Sequence, residues 1–557
     1  MLLLWMLMLG SGPEFEITHS LKTPQTGRLL LMLSQDFSED PRFQITDGLN
    51  AQLIFGMNVS DWDGSPLIFD PHAPGYPIAE LSDVPLGTYN VQVLLNRYHL
   101  FKLENGKQVW LPPDRGEGQQ WHSKPGNIYN EPIRLDLSDP TVTIKLDREI
   151  EPISPPQETR YHKYVKIRSE RLSKFWGEDV SLAAWVLIPH GFDAHPDTKF
   201  PLMVFHGHFP ASPWGLRSVP PDPDLKADYS ERFGIHGYNK IIQEESYRFF
   251  NQWTSAEFPR FLVMEIQHPT PYYDDSYAVN SACQGPYGDA IVYELIPHVE
   301  KMFRGIGEGW ARFLYGGSTG GWEAMATQVF YPDEFNGAFI ACPDPIDFRA
   351  FMTINLYEDK NAYFYEGTFK KVPRPGHRDC LGHVSASIRD QNQLEWVLGD
   401  HSRSGGQFDI WEATYSPMND DGYPKPIWNK ETGDIDPEVA AYWRDHYDLT
   451  HIIQRDWKVI GERLRGKLHI YVGDMDNYYL NNAVYLTEAV LERLDQPKYE
   501  GEVAYGDREE HCWNGDPDNP NYLTRLRYNT LYLPKILKRI EISAPDHADL
   551  TSWRYAE

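Results

Sequence analysis

A chain of 557 residues, 41% hydrophobic and 24% charged, can bury large cores in several domains without disulfide staples. Its 80 acidic residues outnumber 52 basic ones, and the net charge of −28 repels phosphate backbones and so excludes nucleic acid as a natural partner. The four cysteines, Cys283, Cys342, Cys380 and Cys512, form no Cys-x-x-Cys pair. A cysteine zinc site is therefore not expected, and either two disulfides or four thiols are open.

Residues 1–13 begin with a Leu- and Met-rich stretch too short to span a bilayer, which reads as a signal-peptide core or a leader. Export to a secreted or periplasmic location is the expectation, with a cytoplasmic chain the alternative. No other segment is apolar and long enough for a membrane span.

From 14 to 150, short apolar runs such as Arg28–Leu33, Ala51–Phe55, Tyr89–Leu95 and Thr141–Leu146 are separated by Pro, Gly, Asp and Asn clusters. That spacing predicts a small all-β, sandwich-like accessory domain. The Pro-rich stretch 151–160 predicts a stiff linker.

Beyond it, residues 161–557 alternate strand-like runs with helical stretches. The runs are Val180–Ile188, Pro201–Phe205, Phe261–Ile266, Ala311–Tyr315, Gly337–Ala341, Lys467–Val472 and Glu502–Ala504. The helical stretches include Asp289–Phe303, Trp322–Phe330 and Asn482–Leu494. This predicts an α/β domain with a mostly parallel sheet. An irregular, Tyr- and Trp-rich span from about 343 to 465 interrupts the alternation and reads as an insertion over the sheet's carboxyl edge.

The sharpest signal is Gly316-Gly317-Ser318-Thr319-Gly320-Gly321, which contains Gly-x-Ser-x-Gly between a predicted strand and a predicted helix. A tight turn there projects the serine at a helix N-terminus, where developing negative charge is favoured. A serine hydroxyl needs a base, and the order in such a fold is Ser, acid, His. His511 follows the last predicted strand. Asp474 and Asp476 both follow Lys467–Val472, and the Gly-x-x-Asp spacing from Gly473 favours Asp476. The strand Pro201–Phe205 runs into His206-Gly207-His208. An oxyanion hole is expected from the backbone N–H of Thr319 and from Gly207 or His208, with His206 orienting the loop.

With these pieces in place, the chain resembles the esterase D-like branch of the α/β-hydrolases, which includes feruloyl, acyl-sugar and enterochelin esterases. Tyr331-Pro332-Asp333-Glu334-Phe335, Gly473-Asp474-Met475-Asp476 and Glu510-His511 complete the match, over residues from about 180 to 345 and 465 to 535. The resemblance implies an α/β-hydrolase fold and ester hydrolysis by Ser318, Asp476 and His511 without cofactor or metal. In tannase-like relatives a cysteine precedes the serine and another follows the histidine, joined by a disulfide. Here Cys512 follows His511, but Gly317 precedes Ser318, so any partner of Cys512 lies elsewhere.

The expected substrate is a small-molecule or carbohydrate-linked ester, with Trp322, Trp411, Trp428, Trp443 and Trp513 as candidate contacts. Two rival readings are a serine peptidase of the prolyl-oligopeptidase type and a binding protein that keeps the fold. For the first, some 150 residues ahead of the linker are too few for a propeller. Oligomeric state is not legible.

Overall fold

The computed structural model describes residues 13–114, 120–138, 141–207 and 215–555. The apolar leader, apart from Pro13, and His208 lie outside the described residues. Between Glu14 and Glu149 every described regular element longer than three residues is a strand. Thr141–Leu146 shows strict alternation, with Val142, Ile144 and Leu146 turned inward, and pairs in parallel with Glu14–His19. In the larger N-terminal sheet Gln25–Ser34 lies between Leu53–Trp62 and Thr88–Arg97, antiparallel to both. Leu29, Leu31 and Leu33 enter one core, while Leu30 and Met32 enter another on the opposite face. Burial on both faces is why this strand reads as an unbroken apolar run rather than an alternating one.

The Pro-rich segment 151–160 is exposed throughout. An eight-stranded sheet follows, built from β1 (His162–Arg168), β2 (Ser181–Leu187), β3 (Leu202–His206), β4 (Leu262–Gln267), β5 (Arg312–Gly317), β6 (Ala338–Ala341), β7 (Leu468–Gly473) and β8 (Glu502–Gly506). Its order is β1-β2-β4-β3-β5-β6-β7-β8. β2 runs antiparallel to both its neighbours, and every pairing from β4 to β8 is parallel. This order makes a mixed, mostly parallel α/β sheet, and it gathers the carboxyl ends of β3, β5, β6, β7 and β8 along one edge, where α/β folds place ligands.

Six helices matter for the site: α1 (Tyr238–Thr254), α2 (Thr319–Phe330), α3 (Ile388–Leu398), α4 (Gln407–Tyr415), α5 (Leu449–Leu464) and α6 (Asn481–Leu491). All of α2 except Phe330 is buried, which suits a helix with small residues packed against the sheet. α5 is amphipathic, buries Leu449, Ile452, Ile453, Trp457 and Leu464, packs on α2 and leads into β7. It falls inside the span read as an insertion, yet it serves as the crossover helix back into the sheet. α3 begins with a capping box formed by Ser387 and Asp390, and its end packs on the N-terminal sheet through Val397 and Leu398. Among the described residues no helix is long and apolar enough to cross a membrane.

Candidate active site

Ser318 stands where β5 turns into α2, with φ 60° and ψ −126°. For a non-glycine residue that conformation costs of order 1–3 kcal/mol and persists only when the surroundings fix it. They do so here. Ser318 N donates to Ala341 O on β6 (3.1 Å), and Ser318 O accepts from the N–H groups of Gly321 (2.9 Å), Trp322 (3.1 Å) and Asp344 (3.2 Å). A Cβ on Gly320 would drive into the carbonyl oxygen of His206, and one on Gly316 into that of Gly320. The glycines are thus required by close backbone approach.

The loop after β8 brings His511 to the serine, with Nε2 2.9 Å from Ser318 Oγ and Nδ1 2.7 Å from Asp476 Oδ2. A carboxylate only accepts, so Nδ1 carries the proton and Nε2 is left to accept from the serine. Asp476 is fully buried, and its Oδ1 takes the N–H groups of Tyr478 (2.9 Å) and Leu480 (3.3 Å). Asp474 instead accepts from Arg508 N (2.7 Å). The imidazole is further held by its own backbone. His511 N donates to Asn477 Oδ1 (3.0 Å), and His511 O accepts from Asn521 Nδ2 (2.6 Å). From the inserted segment, Arg378 Nε donates to Asp476 O (3.0 Å), while Asn477 Nδ2 donates to Arg378 O (2.8 Å).

Burial disfavours the imidazolium of His511, but the negative charges of Cys512 and Asp476 outweigh it and raise its pKa above the ordinary 6.5. Cys512 is pushed the other way. A hydrogen bond with Cys342 lowers its pKa first; burial opposes the shift, and the charges of His511 and Arg232 reinforce it. Arg232 Nη2 lies 3.3 Å from Cys512 Sγ and 3.4 Å from His511 O. Donor atoms of Cys342, His511 and Cys512 lie within 4.8 Å of one another, the one grouping of three among the described residues that could hold a metal ion. All four cysteines are free thiols.

Behind the loop that ends β3, His206 is buried, and its Nδ1 lies 3.4 Å from Glu323 Oε2 on α2. Burial, and then His268, pushes the imidazole down to about 3, while burial raises the carboxyl of Glu323 well above its usual range. The imidazole is therefore neutral at pH 7, and it lies between the loop and α2.

Ser318 and His511 open into a cavity of about 630 Å³. Ser318, His511, Cys512 and Gly207 line it together with Met352, Gln407, Phe408 and Trp411 of the inserted span. Of the five tryptophans expected at the substrate, Trp411 alone lines this cavity. Trp322 is buried against Tyr277 and Tyr415. Trp443 is buried with its Nε1 donating to Ser416 Oγ (2.9 Å), and Trp513 is buried with Nε1 donating to Asp516 O (3.2 Å). Trp428 lines a separate cavity and donates to Asn392 Oδ1 (2.9 Å). Core packing claimed these four because their large apolar faces are worth more buried than wetted. Asp344, Glu265, Arg232 and Arg525 also line the main cavity and were not singled out in the sequence. Asp344 follows β6, and its place at the strand edge was the one signal available.

No protein-family model and no curated protein matches the chain. Among solved structures, a ferulic acid esterase is similar over 68% of this chain and 99% of its own, at 14% identity and a TM-score of 0.35. An S-formylglutathione hydrolase from Staphylococcus aureus is similar over 68% and 98%, at 14% identity and a TM-score of 0.32. Another from Agrobacterium tumefaciens is similar over 69% and 97%, at 12% identity and a TM-score of 0.31. These are proteins that the chain is similar to, and the chemistry has to be read from the site itself.

Proposed function

We propose that the protein is a serine carboxylic-ester hydrolase that works through an acyl-enzyme. The observation that carries this reading is the unbroken relay at the cavity, Ser318 Oγ to His511 Nε2 at 2.9 Å and His511 Nδ1 to Asp476 at 2.7 Å. In the first step Ser318 Oγ attacks the ester carbonyl and its proton passes to Nε2. Asp476 keeps the tautomer and stabilises the imidazolium. The oxyanion is held by the N–H of Thr319 at the start of α2 and by a second donor from the Gly207–His208 stretch. As the tetrahedral intermediate collapses, His511 gives its proton to the leaving alcohol. Water then repeats the sequence on the acyl-serine.

Phe408, Trp411 and Tyr478 give the cavity aromatic walls, which suits flat rings and sugars and supports acylated-carbohydrate or feruloyl-type esters. Among the described residues, none that lines the cavity comes from the N-terminal strands, which supports an accessory role for that region.

Labelling with a fluorophosphonate and hydrolysis of p-nitrophenyl acetate, feruloyl and acetyl-sugar esters test the reading. Labelling that maps to Ser318, with turnover of esters and not of peptide amides, is the expected result. Turnover of amides over esters moves the assignment to a peptidase, and an unlabelled, inert protein overturns it.

A further inference from the structure

Arg232 and Arg525 both line the cavity that holds Ser318 and His511. They arrive from distant parts of the chain, Arg232 ahead of α1 and Arg525 from the segment that follows the histidine loop. One ring receives both. The guanidinium carbons of Arg232 and Arg525 lie 5.3 Å and 5.6 Å from the centre of Phe233. Tyr238 and Tyr522 pack on that ring at 4.9 Å and 6.3 Å and hold it in place.

Two guanidiniums gathered around one ring repel each other. The ring's π-face offsets part of that cost, and a shared anion offsets the rest. The chain carries a net charge of −28, so carboxylates are plentiful. Arg527, two residues beyond Arg525, shows the ordinary arrangement: its Nε donates to Glu245 Oε2 at 3.0 Å, and Glu245 also pairs with Arg248. Among the described residues, no carboxylate forms such a pair with Arg232 or Arg525. Arg232 reaches Cys512 Sγ (3.3 Å) and His511 O (3.4 Å) through Nη2 alone.

His511 gives its proton to the departing alcohol, so the alcohol half of an ester lies along the histidine loop. Arg232 borders that loop directly, and Arg525 stands beside it across Phe233. The two carboxylates of the cavity come from elsewhere, Glu265 from β4 and Asp344 from the end of β6, where its Oδ1 lies 3.5 Å from Ser318 Oγ. They leave the histidine side as the place for an anion. A guanidinium presents a fork of N–H donors that a carboxylate meets with both oxygens.

Resting on the ester-hydrolase reading above, we infer that Arg232 and Arg525 bind a carboxylate on the alcohol half of the ester. The alcohol released is then a hydroxy acid or a sugar acid.

The test uses the full-length protein and two pairs of acetyl esters. One pair is 3-acetoxypropanoate and 3-acetoxypropanamide; the other is 3-(acetoxymethyl)benzoate and 3-(acetoxymethyl)benzamide. Each pair keeps the acyl group and changes only the charge of the alcohol half, and hydrolysis by hydroxide corrects for intrinsic reactivity. In at least one pair kcat/KM for the carboxylate should exceed that for the amide by about tenfold or more, the worth of one good hydrogen bond to a charged group. Without such a site the acidic surface disfavours the anionic member, so a ratio near or below one in both pairs overturns the inference. Arg525→Gln and Arg232→Gln should each bring the ratio toward one. Purely structural arginines would lower both rates together and leave the ratio unchanged, which also overturns it. Should a variant not fold, the wild-type ratios decide. Fluorophosphonate labelling of Ser318 with turnover that ignores the carboxylate sinks this inference alone, whereas absence of both labelling and turnover sinks the ester-hydrolase reading as well.

Discussion

Arg28, in the N-terminal sheet, donates through Nε to the carbonyl of Val397, 369 positions later in the chain, at 2.9 Å. Its Nη2 donates to the carbonyl of Trp396, also at 2.9 Å. Both carbonyls belong to the last turn of α3, which has no intrahelical donors for them. Around this contact Leu30, Met32, Ile54 and Leu94 pack with Val397 and Leu398. The N-terminal sheet and the inserted span therefore share a core, even though the segment 151–160 between sheet and catalytic region is exposed.

Arg28→Met should lower the stability of the folded chain by about 1–3 kcal/mol, because buried carbonyls lose charged donors. A chain that starts at Thr159 should aggregate, since Val397 and Leu398 lose their cover. Denaturant midpoints and light scattering read these outcomes. A monomeric, fully active truncation would show that the shared core is dispensable.

Ser318→Ala should leave the fold intact and remove on the order of 10⁶ in turnover, as for other triad nucleophiles. Circular dichroism and p-nitrophenyl acetate hydrolysis measure the two halves of this statement. A variant that keeps a few per cent of the wild-type rate would exclude Ser318 as the nucleophile.

Asp476→Asn should cost roughly 10⁴ in turnover, because an amide at that position disturbs the His511 tautomer. Asp474→Asn should cost far less, since its partner is Arg508 N and not the imidazole. Comparable losses in the two variants would mean that the loop acts as a unit and that neither aspartate has a special role.

The pH profile should carry the mark of Cys512. The base must be neutral to accept the serine proton, so kcat/KM rises with pH through the pKa of His511. With that pKa raised, the midpoint falls on the alkaline side of the ordinary imidazole value. Cys512→Ser removes one of the two negative partners and should shift the midpoint down. An unchanged or higher midpoint in this variant would show that Asp476 alone sets the base.

The meeting of Ser318, His511 and Asp476 was legible because each part is local. The turn at Ser318 needs its glycines within two residues, and Asp476 and His511 each follow a strand of the sheet at short, regular spacing. Seven strands of the large sheet were readable as apolar runs, while edge strand β1, with only His162 and Val165 buried, gave too weak a pattern. The substrate contacts were not legible. A tryptophan's identity does not say whether its ring faces a core or a cavity, and Trp428 and Trp443 differ from Trp411 only in what packs on them. Arg232 meets His511 across 279 positions of chain, a distance at which no sequence periodicity acts. α5 was hidden inside a span whose other residues follow no regular period.

The bond from Arg378 to the carbonyl of Asp476 makes the segment that carries Arg378 and the loop that carries Asp476 a single mechanical unit. Its guanidinium also reaches Asn481 Oδ1 (3.1 Å), so one inserted residue grips both the acid loop and the start of α6. Grafting a foreign segment in place of residues 343–448 to change substrate range would remove that grip and let the acid loop relax. An engineer who wants a different pocket on this scaffold must therefore keep Arg378 within the new walls, where it pairs with Asn477 of the scaffold.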